Sequence, residues 1–310
     1  MPDRILITPR SYGKGHPELF EMLRNEGFDI TLNETGSIMT KEQMIEAIAP
    51  MDGVIIGVDP LDADVIASAD RLRAISKYGV GVDNIDLDEA KRRNIAVSRA
   101  AGANSDAVAD YAMALMLAVA RRIVPIDRKC RQGNWGKLST RDVCGATLGL
   151  IGLGAIGKGV ARRAKGFSMK ILAYDVYWDE QYAKDNDIEY AEVDDLLRKS
   201  DFVSLHLPLM ATTEKFIGER EIALMKKDAV LINTARGGLV DEDALLAALR
   251  EGRLYGAGLD AFCHEPPESD EWFDLDNVVL GSHCAASTAG ASYNMGLIAT
   301  RNLIRDMKGR

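Results

Sequence analysis

Cysteine and histidine are scarce in this sequence. Among its 310 residues there are four of each. The cysteines (Cys130, Cys144, Cys263 and Cys284) show neither CxxC pairing nor the spacing of metal ligands. This pattern indicates reduced thiols in a cytoplasmic protein, with neither a disulfide framework nor a metal site.

Long apolar runs are missing as well. The N-terminal residues lead directly into the strand-like Ile5-Leu6-Ile7, without the apolar stretch of a signal peptide. The most apolar long segment, from Ala107 to Ala120, is too short to cross a bilayer and contains Asp110. We therefore expect that segment to be a buried helix and the protein to be cytoplasmic.

Positive charge is in deficit, because 38 Lys and Arg face 47 Asp and Glu, for a net charge of -9. An acidic surface repels phosphate backbones, so nucleic-acid binding is not expected. Hydrophobic residues make up 47% and charged residues 27% of the chain, which is typical of a soluble globular enzyme. A chain of 310 residues is long for one hydrophobic core, which predicts two domains.

Short β-branched runs alternate with helical segments along the chain, which predicts parallel sheets covered by helices. The expected strands are Arg4–Thr8, Gly53–Val58, Ala74–Lys77, Ile95–Ser98, Thr147–Gly152, Lys170–Tyr174, Phe202–Leu205, Ala229–Ile232, Gly256–Leu259 and Val278–Leu280. The expected helices include Glu18–Glu26, Lys41–Ile48, Ile156–Gly166 and Glu242–Glu251. Residues Ser105 to Arg122 form one long helical pattern between two α/β halves.

A glycine-rich turn, Gly152-Leu153-Gly154-Ala155-Ile156-Gly157, opens the second half between a strand and a helix. In that context the motif predicts a dinucleotide site. Gly152 permits the sharp turn, Gly154 lets the backbone approach the pyrophosphate, and Gly157 lets the helix pack on the strand. The first helical amides, at Ala155 and Ile156, would face the phosphates.

An acidic residue, Asp175, ends the next strand at about the 20-residue distance from the motif that suits the adenine ribose. It can accept hydrogen bonds from the ribose hydroxyls, and it would repel the 2′-phosphate of NADP. NAD is therefore the expected cofactor. The alternative interpretation is a solvated turn acid.

Three later segments place polar residues at the ends of apolar strands, the edge where parallel sheets bind ligands. The first contains Thr234 and Arg236, the second Asp260 and Glu265, and the third His283. In this order after a dinucleotide motif, these segments resemble the D-isomer-specific 2-hydroxyacid dehydrogenase family.

The resemblance covers essentially the whole chain and is closest to short-form D-3-phosphoglycerate dehydrogenase-like members. It extends to the run Ser76–Asp86, to Asn104, and to His206-Leu207-Pro208-Leu209. It implies an α/β protein of two Rossmann-like, doubly wound parallel-sheet domains. The NAD domain, residues 100–285, would be inserted into a substrate domain of residues 1–99 and 286–310. The implied activity is NAD-dependent interconversion of a D-2-hydroxy acid and its 2-keto acid.

The resemblance also implies the catalytic roles. Arg236 would grip the substrate carboxylate and 2-oxygen with its planar guanidinium. His283 would protonate the carbonyl during reduction and take the proton back in the reverse reaction. Glu265 would bind the other imidazole nitrogen and stabilise the imidazolium. His264, beside Glu265, competes for the acid/base role on composition alone.

The remaining expected site residues follow from the same resemblance. On the substrate side they are Lys77, Asn104 and the backbone amides of Val80 and Gly81. On the cofactor side, Thr234 and Asp260 would lie near the nicotinamide, His206 and Pro208 near the adenine, and Thr213 is a further expected contact. The segment 105–140, including Trp135, resembles the dimerisation arm of the family and implies a homodimer.

The sequence leaves the substrate open. Gly57 stands where phosphoglycerate-specific members commonly carry an arginine, although Lys77, Arg10 or Lys14 could supply charge instead. The open substrates are D-3-phosphoglycerate with phosphohydroxypyruvate, glyoxylate, hydroxypyruvate and sugar-derived 2-keto acids. Two other classes also stay open: a non-catalytic, NADH-sensing corepressor-like binding protein, and oxidation of a small anion such as formate.

Overall fold

The computed structural model describes residues 2–309, which form two units. The first unit holds the residues up to Asn104 together with those from Ser287 onward, and the second holds Ser105–Ala286. The second unit is therefore inserted in the chain of the first. The boundaries expected from the sequence differ from these by only a few residues. Met1 and Arg310, the ends of the expected substrate domain, lie outside the described residues.

The first unit contains a five-stranded parallel sheet. Its strands are β1 (Arg4–Ile7), β2 (Asp29–Leu32), β3 (Gly53–Ile56), β4 (Ala74–Lys77) and β5 (Ala96–Arg99). Its helices are α1 (Glu18–Asn25), α2 (Lys41–Ile48), α3 (Ala63–Ala67), α4 (Leu87–Arg92) and the C-terminal α12 (Ala289–Lys308). The strand order is β2-β1-β3-β4-β5. Helix α12 packs on β3, β4 and β5, and both β3 and β4 are buried along their whole length.

The second unit contains a seven-stranded parallel sheet. Its strands are β6 (Thr147–Ile151), β7 (Lys170–Tyr174), β8 (Ile188–Tyr190), β9 (Phe202–Leu205), β10 (Val230–Asn233), β11 (Gly256–Leu259) and β12 (Val278–Leu280). Its helices are α5 (Ser105–Ala120), α6 (Ile123–Arg131), α7 (Ala155–Lys165), α8 (Glu180–Asp185), α9 (Val193–Lys199), α10 (Glu219–Leu224) and α11 (Glu242–Arg250). Two parallel-sheet α/β units confirm the predicted fold class.

The strand order in the second unit is β12-β11-β10-β9-β6-β7-β8. The chain therefore reverses its direction of progress across the sheet at β6, which pairs with β7 on one side and β9 on the other. Ligands of such sheets bind beyond the carboxyl ends of the strands at this reversal. The glycine turn follows β6 and His206 follows β9, so both lie at the carboxyl ends of the strands where the order reverses.

The long helix expected over Ser105–Arg122 is two helices. Helix α5 ends at Ala120, and Arg122 adopts a left-handed backbone conformation with φ of 51° before α6 begins. Its guanidinium stacks 4.3 Å from the ring centroid of Tyr255 and donates to the Tyr255 carbonyl oxygen. This long-range contact, which the local sequence does not reveal, accompanies the break.

Helix α5 is largely buried, as predicted for the apolar segment, and packs against α7, β10 and β11. No helix within residues 2–309 combines the length and apolarity needed to span a membrane. The edge strands β2 and β8 were not predicted. Each is short and carries polar, exposed residues in place of an apolar run, unlike the edge strands β5 and β12, which were predicted.

Candidate active site

The glycine turn is shaped by close backbone packing on one side and open space on the other. Gly152 has φ of 103°, and a Cβ added there would lie 2.7 Å from the backbone carbonyl of His206. A Cβ at Gly157 would lie 2.1 Å from the Gly152 carbonyl oxygen. At Gly154, by contrast, an added Cβ would meet nothing within 4 Å. The turn thus keeps an open face at Gly154.

The start of α7 offers unpaired donors to that open face. Gly154 is the N-cap and makes no side-chain capping bond. Among the described residues, the amides of Ala155, Ile156 and Gly157 donate no hydrogen bond, and the first helical bond runs from Lys158 to Gly154. Such amides and the helix dipole favour an anion. The donor set therefore fits the pyrophosphate of NAD.

Asp175 lies directly after β7 and is tied to the glycine turn. Its Oδ2 accepts the Leu153 amide at 2.6 Å, and its Oδ1 accepts the Tyr177 amide at 2.9 Å. The carboxylate is thus part of the loop structure, beyond its expected role at the ribose. An acid in this position suits the diol of an adenine ribose.

His206 and Thr213 belong to the loop after β9. Nε2 of His206 lies 2.9 Å from the Ser204 hydroxyl, whereas its buried Nδ1 has no partner among the described residues. Burial lowers the pKa of His206 to about 4, so its imidazole is neutral at pH 7. The Thr213 hydroxyl accepts the Met210 amide and donates to the Pro208 carbonyl oxygen, which closes the loop. Pro208 itself is exposed.

Arg236 is held in a polar turn after β10 by a residue that sequence reasoning missed. The buried Asn233 accepts the Ala235 amide at 3.0 Å and donates to the Arg236 carbonyl oxygen at 2.8 Å. Nη1 of Arg236 donates to the Ala235 carbonyl oxygen. An asparagine that opens a polar turn after an apolar strand is a known turn former, and that signal could have identified Asn233. Thr234, next to it, has a buried hydroxyl without a partner among the described residues.

Glu265 and His283 form a direct pair. Nδ1 of His283 lies 2.9 Å from Oε2 and 3.0 Å from Oε1 of Glu265, which also accepts the Phe262 amide. The side chains of His283 and Glu265 are 44% and 38% exposed. Within residues 2–309, Nε2 of His283 makes no hydrogen bond. The pair can therefore present a protonated imidazole to a ligand through Nε2.

The three catalytic candidates lie at the carboxyl end of the second sheet. Arg236, Glu265 and His283 follow β10, β11 and β12, which are successive neighbours in the sheet. Because all these strands are parallel, their carboxyl ends face the same way. A cation, an acid and an imidazole are thus gathered on one side of the second unit.

Asp260 supports the loop that carries His283. It is 1% exposed, and its two oxygens accept the amides of Cys284 at 3.0 Å and Ala285 at 2.8 Å. A Cβ at Gly281 would lie 2.2 Å from Asp260 Oδ1, so only glycine leaves room for this carboxylate. Both oxygens of Asp260 therefore already bind this loop, whatever contact the residue makes with a cofactor.

In the first unit, Lys77 lies inside a buried polar network. It is 6% exposed, and its Nζ donates to the Gly57 carbonyl oxygen at 2.6 Å and to Oδ1 of Asn84 at 2.5 Å. Asn84 in turn donates to the carbonyl oxygens of Gly57 and Asp59. The ammonium thus stabilises the strand ends around Gly57.

The other substrate-side candidates of the first unit are backbone groups and one amide. Within residues 2–309, neither the Val80 nor the Gly81 amide donates a hydrogen bond. Oδ1 of Asn104 is buried without a partner among the same residues. Both observations leave polar atoms available to a ligand.

His264, which competes for the acid/base role on composition, is exposed and lies 3.7 Å from Glu268. No group of three or more His, Cys, Asp or Glu that could bind a metal occurs within the part of the chain that the structure describes.

Comparison with known proteins identifies relatives across the full chain. The family profile described as "D-isomer specific 2-hydroxyacid dehydrogenase, NAD binding domain" matches residues 113–285. A glyoxylate reductase of Korarchaeum cryptofilum is 40% identical over 317 residues, which cover 100% of this chain and 94% of that protein.

Two solved structures illustrate the shared architecture. A glyoxylate reductase from Paecilomyes thermophila superposes with a TM-score of 0.88 at 30% identity, covering 99% of this chain and 96% of that one. D-lactate dehydrogenase from Aquifex aeolicus, complexed with NAD and lactic acid, gives a TM-score of 0.86 at 30% identity, covering 98% and 96%.

Proposed function

The chain belongs to the D-isomer-specific 2-hydroxyacid dehydrogenase family, and we propose that it reduces glyoxylate and similarly small 2-keto acids. It is an NAD-dependent oxidoreductase. The Glu265–His283 pair carries the proposal, because it supplies an oriented proton donor at a sheet edge that also holds Arg236. Relatives that are named glyoxylate reductases support this substrate over phosphohydroxypyruvate, which the resemblance to D-3-phosphoglycerate dehydrogenase-like members implied.

The residues of the second unit divide the work of reduction. NADH, when bound, supplies a hydride to the carbonyl carbon. Arg236 binds the substrate carboxylate through its guanidinium. Nε2 of His283 donates a proton to the carbonyl oxygen, so that one hydride and one proton convert the carbonyl to a hydroxyl. Glu265 holds Nδ1 and stabilises the imidazolium from which the proton leaves. In the oxidation direction, His283 accepts the proton again.

The setting of Lys77 supports an unphosphorylated substrate. Its buried ammonium already binds the Gly57 carbonyl oxygen and Asn84, and Gly57 itself has no side chain. Arg10, another candidate phosphate ligand, donates to the Gly36 carbonyl oxygen. The Val80 and Gly81 amides are the groups of the first unit that we propose to bind a substrate carboxylate, with Asn104 as a further contact.

We further propose a homodimer through residues 105–140 and a cytoplasmic location. Trp135 is 80% exposed and Ile123 is 54% exposed, which gives this segment apolar surface for a second copy. The four cysteines are free thiols, as is usual in a reducing compartment. Light scattering after size exclusion tests the dimer. The wild type should have the mass of a dimer, and Trp135→Ala should lower the average mass. A wild type with the mass of a monomer would exclude the dimer.

A panel of 2-keto acids tests the substrate. NADH oxidation is followed with glyoxylate, hydroxypyruvate, pyruvate and phosphohydroxypyruvate, each as kcat/KM. We expect glyoxylate or hydroxypyruvate to give the highest value and phosphohydroxypyruvate a lower one. A preference for phosphohydroxypyruvate would reject the unphosphorylated substrate while leaving the reaction class in place.

A further inference from the structure

The loop that carries Glu265 is fixed by carboxylates at two successive amides. Glu265 itself accepts the Phe262 amide at 3.1 Å. The next amide, of Cys263, donates to Oε1 of Glu242 at 2.6 Å. Glu242 lies in the first turn of α11, far from the loop in sequence. We propose that Glu242 is a positioning residue, which holds the Glu265 carboxylate against Nδ1 of His283.

The start of the loop is fixed by packing. The Phe262 ring is 7% exposed and meets Trp272 edge to face at 5.8 Å. A Cβ at Gly237 would lie 2.0 Å from the Phe262 carbonyl carbon, so the backbone at Gly237 lies directly against the loop. Beyond Phe262 the loop turns outward, and the His264 side chain is 70% exposed. Besides the pair of Glu265 with His283, the bond from Cys263 to Glu242 thus fixes this part of the loop from another element.

The geometry of the Glu265–His283 pair is sensitive to the position of this loop. Both oxygens of Glu265 lie within 3.0 Å of His283 Nδ1, and displacement of the loop by about 1 Å would break that fit. Among the described residues, Glu242 makes no hydrogen bond to His283, and it accepts the Cys263 amide two residues before Glu265. We therefore expect it to act on proton transfer through the position of Glu265.

The helix dipole and a neighbouring ion pair surround the Glu242 carboxylate. Its position in the first turn of α11 places the carboxylate near the positive end of the helix dipole. The nearby Asp241 is neutralised by Lys215 at 3.0 Å. Partial burial, and then the Glu242 carboxylate, raise the pKa of the Cys263 thiol to about 11, so this thiol stays neutral in the assay range.

Three substitutions at this position test the proposal. Glu242→Ala removes the acceptor, Glu242→Asp retracts it by one methylene but keeps the charge, and Glu242→Gln keeps an acceptor oxygen without charge. We expect kcat for glyoxylate to fall about tenfold in the Ala and Asp variants, the loss of one charge-assisted bond, and to recover largely in Gln. KM and the Kd for NADH should change little. Asp243→Ala, on the same helical turn, is the matched control and should retain wild-type kcat.

A spectroscopic readout separates positioning from a general structural effect. The proton between His283 Nδ1 and Glu265 should give a low-field NMR signal, assigned by its absence in His283→Asn. The signal should weaken in Glu242→Ala and Glu242→Asp and persist in Glu242→Gln and Asp243→Ala. Wild-type kcat and signal in Glu242→Asp, or equal losses in Gln and Asp, would overturn the proposal. Should Glu242→Ala fail to fold, the Asp and Gln variants decide alone.

The kinetic part of this test rests on the proposed function, whereas the NMR part does not. If the wild type fails to reduce glyoxylate, the substrate proposal fails, but the Nδ1 proton still reports whether Glu242 positions the pair. If the wild type is active and the signal is unaffected by every Glu242 variant, the positioning role fails alone.

Discussion

The carboxylate of Asp260 accepts the backbone amide of Ala285 at 2.8 Å, just beyond His283 in the chain. Its other oxygen accepts the Cys284 amide. His283 has φ of 55°, a left-handed conformation that costs a non-glycine residue about 1 kcal/mol. A buried carboxylate and two amides thus hold the histidine in a backbone conformation that it would otherwise avoid.

Asp260→Asn should weaken this arrangement. The variant turns one acceptor oxygen into an NH2 group that faces a backbone N–H, so one amide loses its partner. We expect the free energy of unfolding to fall by about 1–3 kcal/mol, measured by urea denaturation. Asp187→Asn, at a side chain that is 95% exposed, is the control and should change it by less than about 0.5 kcal/mol. Equal stability of the two variants would contradict this account of Asp260.

Gly152 and Gly252 offer a matched test of the glycine turn, because both have positive φ. An alanine at Gly252 would meet nothing within 4 Å, whereas one at Gly152 would lie 2.7 Å from the His206 backbone. Gly252→Ala should cost about 1 kcal/mol for its conformation alone. Gly152→Ala should lower the free energy of unfolding by clearly more, as measured by thermal unfolding. It should also weaken NADH binding, as measured by fluorescence titration. Wild-type affinity for NADH in Gly152→Ala would contradict the assignment of this turn to the cofactor site.

Asp175 should determine the preference for NADH over NADPH. Asp175→Asn removes the charge that repels a 2′-phosphate and keeps one acceptor oxygen, which can serve either the Leu153 or the Tyr177 amide. We expect the ratio of kcat/KM for NADH to that for NADPH to fall by on the order of tenfold. Asp185→Asn, an exposed acid in the same unit, should leave the ratio unchanged. A wild type that already prefers NADPH would contradict this role.

His206, which is half-buried with a fully buried Nδ1, should make the apoprotein sensitive to acid. Its pKa is about 4 in the folded state, against 6.5 for an ordinary histidine. As the pH falls from 6.5 to 4, His206 is protonated in the unfolded chain but stays neutral in the folded protein. The free energy of unfolding therefore decreases over this pH range. The loss at pH 4 should be roughly 3 kcal/mol, by urea denaturation across the range.

Two comparisons isolate the contribution of His206. His206→Gln, which cannot be protonated, should have a flatter pH dependence between pH 4 and 6.5, whereas the exposed His16→Gln should retain that of the wild type. An NMR titration should also show the His206 imidazole changing near pH 4. A midpoint near 6.5 would refute its burial as a neutral group.

The fold was predictable from the sequence where strands are apolar. The internal strands β4, β7, β9 and β11 were predicted at their observed bounds because their apolar residues are largely buried, and the edge strand β12 was also predicted at its bounds because its run Val278–Leu280 is apolar. The edge strands β2 and β8 lack that pattern, so the sequence carried no signal for them. The break at Arg122 is accompanied by its contact with Tyr255, which joins distant parts of the chain.

The site divides along the same line. Arg236, Glu265 and His283 lie in polar segments that follow apolar strands in the sequence, and the family resemblance implied their catalytic roles. The residues that hold them, Asn233 and Glu242, act through single hydrogen bonds to loop amides. Glu242 looks like an ordinary acid in a helical first turn, so only the folded structure reveals its contact with Cys263.

The kcat/KM of His283→Asn for glyoxylate reduction, measured beside the wild type together with the Kd for NADH, tests the central claim most directly. Asparagine can replace His283 in the loop, but its amide cannot act as an acid as the imidazolium does. We predict a fall of about 100-fold or more in kcat/KM with little change in the Kd for NADH. Turnover of glyoxylate by His283→Asn at the wild-type rate would contradict the assignment of His283 as the proton donor.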